Sequence, residues 1–235
     1  MDGQHVVTFL PPNHQGESVK EQWTDDHIEF IAENENNPEF LAIYADGSLT
    51  KKEGRRLTKY GVVGYYLGEV AFSTKGALGE QAEVFDAEMA GLSAVGKATK
   101  QFILNREWAQ QPTCIVFYAD NSAAIARIHK GSPEKAQEHS LAFRNHITEV
   151  LNEVKDALVA ISWVPGHSNI AGNEEADRLA KEGTKLRPRL RDFKTQAFMA
   201  SLHKREMLEA WTFRWNNQPN HPSSGSTPQT PYPPR

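Results

Sequence analysis

Residues 163–180, WVPGHSNIAGNEEADRLA, bring one histidine and several acidic side chains into a short loop and the start of a helix. Trp-Val-Pro-Gly-His is typical of a strand that ends in a tight turn, and Asn-Glu-Glu-Ala-Asp is typical of a helix start. His167 could supply a titratable group, and Asp177 could supply a ligand for a cation. What they do together depends on which other side chains the fold brings to them.

Two more acids each follow a short apolar run that predicts a buried strand. Asp46 ends EFLAIYAD, and Asp120 ends TCIVFYAD. Functional groups in an open α/β sheet gather beyond the carboxyl ends of adjacent parallel strands, so these two aspartates lie side by side if their strands are neighbours. Glu88 lies on the predicted helix EQAEVFDAEMAGLSAVGKATKQFIL, and the small residues Ala90 and Gly91 that follow it allow close packing.

A cluster of four carboxylates would be costly, because the charges repel one another and lose water on burial. Divalent cations remove that cost, and oxygen ligands select Mg²⁺ or Mn²⁺ over zinc. The candidate metal ligands are Asp46, Glu88, Asp120 and Asp177. Taken singly, each has a simpler interpretation, as a turn former, a solvated helix residue or a partner of a helix dipole, and His167 could be an ordinary loop residue. Their occurrence in one consistent chain order favours a site.

The elements that must position these residues alternate in type along the chain. YGVVGYYLG and EVAFSTKGA, separated by Gly68-Glu69, predict a hairpin, and the later part predicts strands alternating with helices. The order β-β-β-α-β-α-α-β-α predicts an α/β fold. We expect a five-stranded mixed sheet, an antiparallel meander followed by parallel strands, with helices on both faces.

Composition and charge divide the chain into four parts. The net charge of −4 argues against a generally basic nucleic-acid binder, although the charge is uneven along the chain. The predicted parts are an acidic linker or partly ordered segment (1–39), the domain with the acidic residues (40–184), a basic helical extension with a tryptophan stripe (185–216) and a disordered Pro/Ser-rich tail (217–235).

No apolar run approaches the roughly 20 residues that span a bilayer, and the first residues lack the pattern of a secretory signal. The single cysteine, Cys114, cannot form an internal disulfide. We therefore expect no membrane partner and an intracellular location, cytoplasmic or nuclear.

Four stretches in this chain order resemble the type 1 ribonuclease H family: IYADGSLT, VFDAEMAGL, FYADNSAAI and WVPGHSNIAGNEEADRLAKEG. The similarity covers about residues 40–184. It is close to the version found as a domain behind the reverse transcriptases of non-LTR retrotransposons. The resemblance implies a ribonuclease H-like fold and hydrolysis of the RNA strand of an RNA–DNA hybrid, with 5′-phosphomonoester products.

The resemblance also implies roles for the acidic residues by motif position. Asp46 would bridge two Mg²⁺ ions, which Mn²⁺ could replace. Asp177 would complete the ligands of one ion, and Glu88 and Asp120 those of the other. Such ions clamp the attacking water and the leaving oxygen of an in-line displacement. His167, on a glycine-containing loop, would assist proton transfer or product release.

Three further residues are candidate substrate contacts. Gly47 and Ser48 adjoin Asp46 and could approach the ribose 2′-hydroxyl in a shallow minor groove. Asn173 precedes Asp177 by one helical turn, shares its face and could contact the substrate backbone.

The chain departs from many cellular members of that family at two places. EQAEVFDAE, before the helix glutamate, contains no asparagine, and RIHKGSPEKAQEHSLAFRN contains no tryptophan and has mixed charge. We therefore expect weak hybrid affinity from this domain alone. A tethered reverse transcriptase domain, absent from this chain, would offset that weakness by raising the effective concentration of substrate.

Two other functions stay open on the sequence. One is a nuclease of the same fold that cuts another substrate, such as DNA junctions or double-stranded RNA, which the specific last motif disfavours. The other is a non-catalytic module that binds hybrid or contacts a polymerase, which the presence of all four acids disfavours. Comparing hybrid cleavage with hybrid binding in a chelator separates these functions.

Overall fold

The computed structural model describes residues 6–11, 16–52, 54–129, 136–183 and 194–216. The strands in these ranges are β1 (Val6–Phe9), β2 (Phe40–Lys52), β3 (Arg55–Tyr66), β4 (Glu69–Gly79), β5 (Cys114–Ala119) and β6 (Leu158–Trp163). The helices are α1 (Glu17–Asn34), α2 (Val84–Leu104), α3 (Ser122–His129), α4 (Gln137–Glu153), α5 (Ala171–Glu182) and α6 (Gln196–Asn216). None of the described helices is both long and apolar enough to cross a bilayer.

The strands form one mixed sheet in the order β1-β6-β5-β2-β3-β4. β2, β3 and β4 are antiparallel neighbours, and β1, β6, β5 and β2 pair in parallel. The predicted mixed α/β sheet is confirmed, but it has six strands rather than five. The additional strand is β1, which pairs with β6 from Val6↔Val159 to Phe9↔Ser162. Its four residues give too short an apolar signal to stand out within an acidic segment.

Helices cover both faces of this sheet, as predicted, and form two apolar clusters. The larger cluster joins alternate residues of the central strands to α2, α3 and α4, and includes Met89, Ile125 and Phe143. The smaller cluster lies on the other face, where Ala176 and Leu179 of α5 pack on the sheet. The alternation of side chains along each strand thus divides the core between the two faces.

Helix α1 lies in the segment that the sequence predicted as an acidic linker or partly ordered region. The rings of Trp23 and Trp163 pack in a T-shaped arrangement, with their centroids 5.4 Å apart. The helix begins at Glu17, so Thr24 lies inside it and not at its N-terminal cap. Thr24 lies in the second turn, where its hydroxyl donates to the Lys20 carbonyl at 2.8 Å. A serine or threonine hydroxyl can bond to the preceding turn in this way instead of capping a helix.

Helix α6 is anchored to the domain at its start. The Thr195 hydroxyl donates to the Asp86 carboxylate at 2.5 Å and accepts the Phe198 backbone N–H at 3.1 Å. Beyond the buried Ala197, large apolar side chains are exposed on this helix: Met199, Met207, Leu208 and Phe213. Residues 185–193 of the predicted basic extension, and the predicted disordered tail at 217–235, lie outside the described residues.

Replacing Thr195 with valine is expected to lower the free energy of unfolding by roughly 1–3 kcal/mol, because a buried carboxylate loses a hydrogen bond. Asp86 is 2% exposed and otherwise accepts the Glu83 backbone N–H. Urea denaturation measures the change. Thr212→Val is the control, since that hydroxyl donates to the Leu208 carbonyl on an exposed part of the same helix. Equal losses in both variants would contradict the anchoring role of Thr195.

Candidate active site

Asp46, Glu88 and Asp120 form a compact cluster at one edge of the sheet. One carboxylate oxygen of each lies within 4.8 Å of those of the other two. Asp46 and Glu88 are buried, with exposures of 7% and 5%, and Asp120 is partly buried. The structure therefore brings together three of the four predicted metal ligands.

The pairing of β2 with β5 explains why the two aspartates meet. These strands are parallel neighbours, and their last paired residues are Tyr44 and Tyr118. Asp46 and Asp120 follow those two residues by the same number of positions, so both carboxylates lie at the carboxyl edge of the sheet. The Trp163 indole fixes the Asp120 backbone, since its Nε1–H donates to the Asp120 carbonyl at 2.8 Å.

Glu88 reaches the cluster because β2 and α2 come very close at Gly47. A Cβ atom on Gly47 would lie 2.6 Å from the Glu88 backbone nitrogen, a distance that real Cβ atoms do not show. Only glycine fits there without moving the helix. Glu88 also makes hydrogen bonds with the Gly47 backbone and the Asn121 side chain. We predicted Gly47 as a substrate contact, and the structure places it against α2.

Asp177, the fourth predicted ligand, lies beside Asp46 and shares a side-chain hydrogen bond with it. Lys181, one helical turn later on α5, donates to the Asp177 carboxylate. A second lysine, Lys59, is fully buried below the end of α5, and its ammonium donates to the Lys181 carbonyl at 3.4 Å. Asp177 thus lies between the acidic cluster and two positive charges.

Burial and mutual repulsion disfavour the ionised carboxylates. Burial is the main cause that raises the pKa of Asp46 to about 8, and the charges of Asp120 and Asp177 add to it. Burial, followed by the charges of Asp46 and Asp120, raises the pKa of Glu88 well above its usual range. The pKa of Asp120 is also raised by burial, although the nearby His167 partly offsets this.

His167 is exposed on the loop between β6 and α5, next to Asp120. Its φ of 57° is in the left-handed region. The preceding residue approaches the cluster closely, because a Cβ on Gly166 would lie 2.5 Å from Asp120 Oδ2. The loop therefore brings an imidazole to the rim of the acidic cluster.

The remaining predicted substrate contacts differ in their exposure. Ser48 is partly exposed, one residue beyond Gly47 on β2. Asn173 is 4% exposed, and its Oδ1 has no hydrogen-bond partner among the described residues. Sequence reasoning missed Asn121, Lys59 and Lys181. Of these, Lys181 could have been found, because residues four apart on a helix face each other.

The donor set of the cluster suits a hard divalent cation. Three carboxylates supply only oxygen ligands, which Mg²⁺ and Mn²⁺ prefer. Among the residues that the structure describes, no cysteine or histidine belongs to this cluster. Binding of a cation would also favour the ionised forms of the three carboxylates, which burial and mutual repulsion disfavour. The residues present therefore fit the predicted type of metal.

The metal-free protein is expected to lose stability as the pH rises from about 5 to 8. The pKa of Asp46 is about 8 in the folded state against an ordinary 3.8, so the folded state keeps a proton that the unfolded state releases. The stability that this retained proton contributes is fully present below about pH 4 and is lost as the pH rises through the pKa of Asp46 in the folded state. Melting temperatures in EDTA should therefore fall over this range, and Mg²⁺ at pH 8 should raise them again.

Asp46→Asn is the control for this pH dependence, because it lacks one of the shifted carboxyls. Its melting temperature in EDTA should fall less between pH 5 and 8 than that of the wild-type protein. The same fall in both proteins would contradict the shifted pKa of Asp46.

Comparison with known proteins gives a family match and similar solved structures. A family model described as RNase H matches residues 38–185. RNase H1 from the archaeon Halobacterium salinarum is 20% identical over 61% of this chain and 96% of its own, with a TM-score of 0.43. The N-terminal RNase H domain of a Mycobacterium tuberculosis protein is 20% identical over 61% of this chain and 92% of its own, with a TM-score of 0.45.

A third solved structure, LC11-RNase H1 in complex with an RNA/DNA hybrid, is 16% identical over 60% of this chain and 94% of its own, with a TM-score of 0.45. No curated protein sequence matches the chain significantly. The family model matches well over half of the 235 residues and spans the mixed sheet from β2 to the end of α5. The predicted ribonuclease H-like fold is confirmed, and the chain belongs to the RNase H family.

Proposed function

We propose that this chain is a metal-dependent endoribonuclease that hydrolyses the RNA strand of RNA–DNA hybrids. The observation that carries the proposal is the buried cluster of Asp46, Glu88 and Asp120 at the carboxyl edge of the sheet. Membership of the RNase H family supports the reaction class. Cleavage would leave 5′-phosphomonoester ends.

Two divalent ions are proposed at this edge, with Mg²⁺ as the physiological ion and Mn²⁺ as a substitute. Asp46 would hold both ions, Glu88 and Asp120 one of them, and Asp177 the other. When bound, such ions activate a water as nucleophile and stabilise the leaving 3′ oxygen. The close approach of Gly47 to α2 supports this assignment, because it holds Glu88 beside Asp46 before any ligand binds.

The remaining residues are proposed to handle protons and substrate. The exposed imidazole of His167, beside Asp120, would move a proton or help to release the product. Asn173 would contact the substrate, since its buried Oδ1 has no partner among the described residues. Ser48, partly exposed next to the cluster, is a candidate contact to the ribose 2′-hydroxyl.

We also propose that the chain derives from a retrotransposon protein and works with a reverse transcriptase domain inside the cell, in the cytoplasm or nucleus. The four motifs that resemble retrotransposon-associated domains motivate this origin. The exposed Met207 and Phe213 on α6, with exposures of 62% and 70%, are a surface that such a domain could cover.

The experiment that tests the proposed activity compares substrates with the RNA strand labelled at its 5′ end. An RNA–DNA hybrid, duplex RNA and single-stranded RNA of one sequence, and a labelled DNA duplex of that sequence, are incubated with the purified chain and Mg²⁺. Cleavage confined to the RNA strand of the hybrid is the expected result. Hybrid binding without cleavage, by well-folded protein, would instead favour a non-catalytic module.

A further inference from the structure

Helix α1 lies outside the part of the chain that matches the RNase H family, yet it contacts the sheet beside the acidic cluster. The match begins at residue 38, and α1 ends at Asn34. None of the residues of α1 is fully buried. The helix is therefore held on the domain by a few aromatic contacts, and two of these lie at the strands that lead to the acids.

The first of these contacts reaches Asp120 through a pair of tryptophans. The Trp23 and Trp163 rings pack in a T-shaped arrangement, with their centroids 5.4 Å apart. Trp163 is 4% exposed, and its indole N–H donates to the Asp120 carbonyl at 2.8 Å. Without the Trp23 ring, Trp163 would lose packing on one side, so its indole would hold the Asp120 backbone less firmly.

The second contact is made by His27, which lies one helical turn after Trp23 on the same face of α1. Its Nε2 and the Tyr44 hydroxyl are joined by a hydrogen bond of 2.9 Å. The imidazole also packs in a T-shaped arrangement on Tyr118, with centroids 4.6 Å apart, and Tyr118 stacks on Tyr44. Tyr44 and Tyr118 are the last paired residues of β2 and β5, two positions before the aspartates of the cluster. His27 therefore contacts both strands just before they deliver their acids.

The contact at the other end of α1 is far from the cluster. Phe30 packs on Phe40, the first residue of β2, with ring centroids 5.5 Å apart. Along β2, Phe40 precedes Asp46 by six residues, a separation of about 20 Å at roughly 3.3 Å per residue. Phe30 can thus help to hold the helix on the sheet without acting on the site, whereas Trp23 and His27 contact side chains that adjoin the site.

We propose that Trp23 and His27 are positioning residues of the metal site, which hold Asp120 and Asp46 in the arrangement that binds a divalent ion. This inference rests on the proposed function and gives α1 a role in it. Carboxylates that are fixed before the ion arrives bind it more tightly, because less order has to be imposed on binding. Loss of a residue that orients a metal ligand typically lowers metal affinity by roughly 10–100-fold.

The test is binding of Mn²⁺ to the full chain without nucleic acid, measured from the electron paramagnetic resonance signal of the free ion. Trp23→Leu and His27→Leu should each raise Kd by roughly 3–10-fold, a smaller effect than direct loss of a ligand's partner, because each acts through a second ring. Trp23→Phe keeps an aromatic ring beside Trp163, so its Kd should stay within about twofold of the wild-type value.

Trp108→Leu is the matched control, because Trp108 is another partly buried tryptophan in a T-shaped aromatic pair. Its ring centroid lies 5.4 Å from that of Tyr66, which pairs with Leu41 at the opposite end of β2 from the cluster. The Trp108 indole also donates to the Ile103 carbonyl at 2.8 Å, so this variant should lose at least as much stability as Trp23→Leu. Its Kd for Mn²⁺ should nevertheless equal that of the wild-type protein.

An unchanged Kd in both α1 variants would overturn the proposal, and hybrid cleavage by the same wild-type preparation would show that the proposed function still holds. An equal rise in Trp108→Leu would also overturn it, because lost stability would then explain the change. Circular dichroism checks the fold of each variant, and His27→Leu decides the question if Trp23→Leu does not fold. Wild-type protein that neither binds Mn²⁺ nor cleaves hybrid would overturn both the inference and the proposed function.

Discussion

Replacing Asp46 with asparagine is expected to lower the rate of hybrid cleavage by on the order of 10³-fold or more, a loss of about 4 kcal/mol in transition-state stabilisation. Asp46 lies between the other acids of the site, with Glu88 and Asp120 on one side and Asp177 on the other. It lies within 4.8 Å of the Glu88 and Asp120 oxygens and shares a hydrogen bond with Asp177. The substitution replaces the carboxylate with a neutral amide. Each ion proposed to bind there would therefore lose one negatively charged oxygen ligand.

The fold of Asp46→Asn should stay intact, because the amide keeps the size of the side chain and is uncharged, as the buried carboxyl is below its raised pKa of about 8. Single-turnover cleavage measures the rate, and circular dichroism measures the fold. Glu153→Gln, an exposed acid at the end of α4, is the control and should cleave at the wild-type rate. Turnover by Asp46→Asn within about tenfold of wild type would contradict the site assignment.

Replacing Gly61 with alanine is expected to lower the free energy of unfolding by about 3 kcal/mol and to slow cleavage as well. A Cβ at this position on β3 would lie 2.1 Å from the Ala176 carbonyl oxygen and 2.5 Å from the Ala180 nitrogen. Both atoms belong to the backbone of α5, so the helix as a whole must move away from the sheet. Asp177 is on that helix and would move with it.

Gly91→Ala is the contrasting variant, because that glycine is also buried but has room for a methyl group. Its nearest neighbour, the Tyr60 Cβ, would be 3.5 Å away, an ordinary contact. Alanine is favoured over glycine inside a helix by up to about 1 kcal/mol, so this variant should be as stable as wild type or more stable. Urea denaturation measures both changes. Similar losses in the two variants would mean that the contact between β3 and α5 is not the cause.

The adjacency of Asp46 and Asp120 was predicted on the condition that their strands are neighbours, and the parallel pairing of β2 with β5 meets that condition. Two buried runs that end in an acid, separated by a hairpin and a long helix, favour parallel neighbours. The approach of Glu88 to the two aspartates was harder to predict, because it depends on the close contact between Gly47 and α2. A sequence shows the glycine but not which element needs the space.

The N-terminal segment shows the limits of local patterns. β1 has four residues, and its partner β6 lies about 150 positions away, at Val159 for Val6. Nothing in the local sequence indicates that pairing. Thr24 shows the same limit, because a threonine before acidic residues is typical of a helix start, yet here it lies inside α1. Packing of Trp23 on Trp163 is a tertiary contact that local propensity does not contain.

The measurement that tests the central claim most directly is the initial rate of hybrid cleavage as a function of Mg²⁺ concentration, starting from excess EDTA. The account predicts no cleavage in EDTA, a rise with Mg²⁺ concentration, and cuts only in the RNA strand. It also predicts that the rise is lost in Asp46→Asn. A wild-type rate in EDTA equal to that in Mg²⁺ would contradict a catalytic metal at Asp46, Glu88 and Asp120.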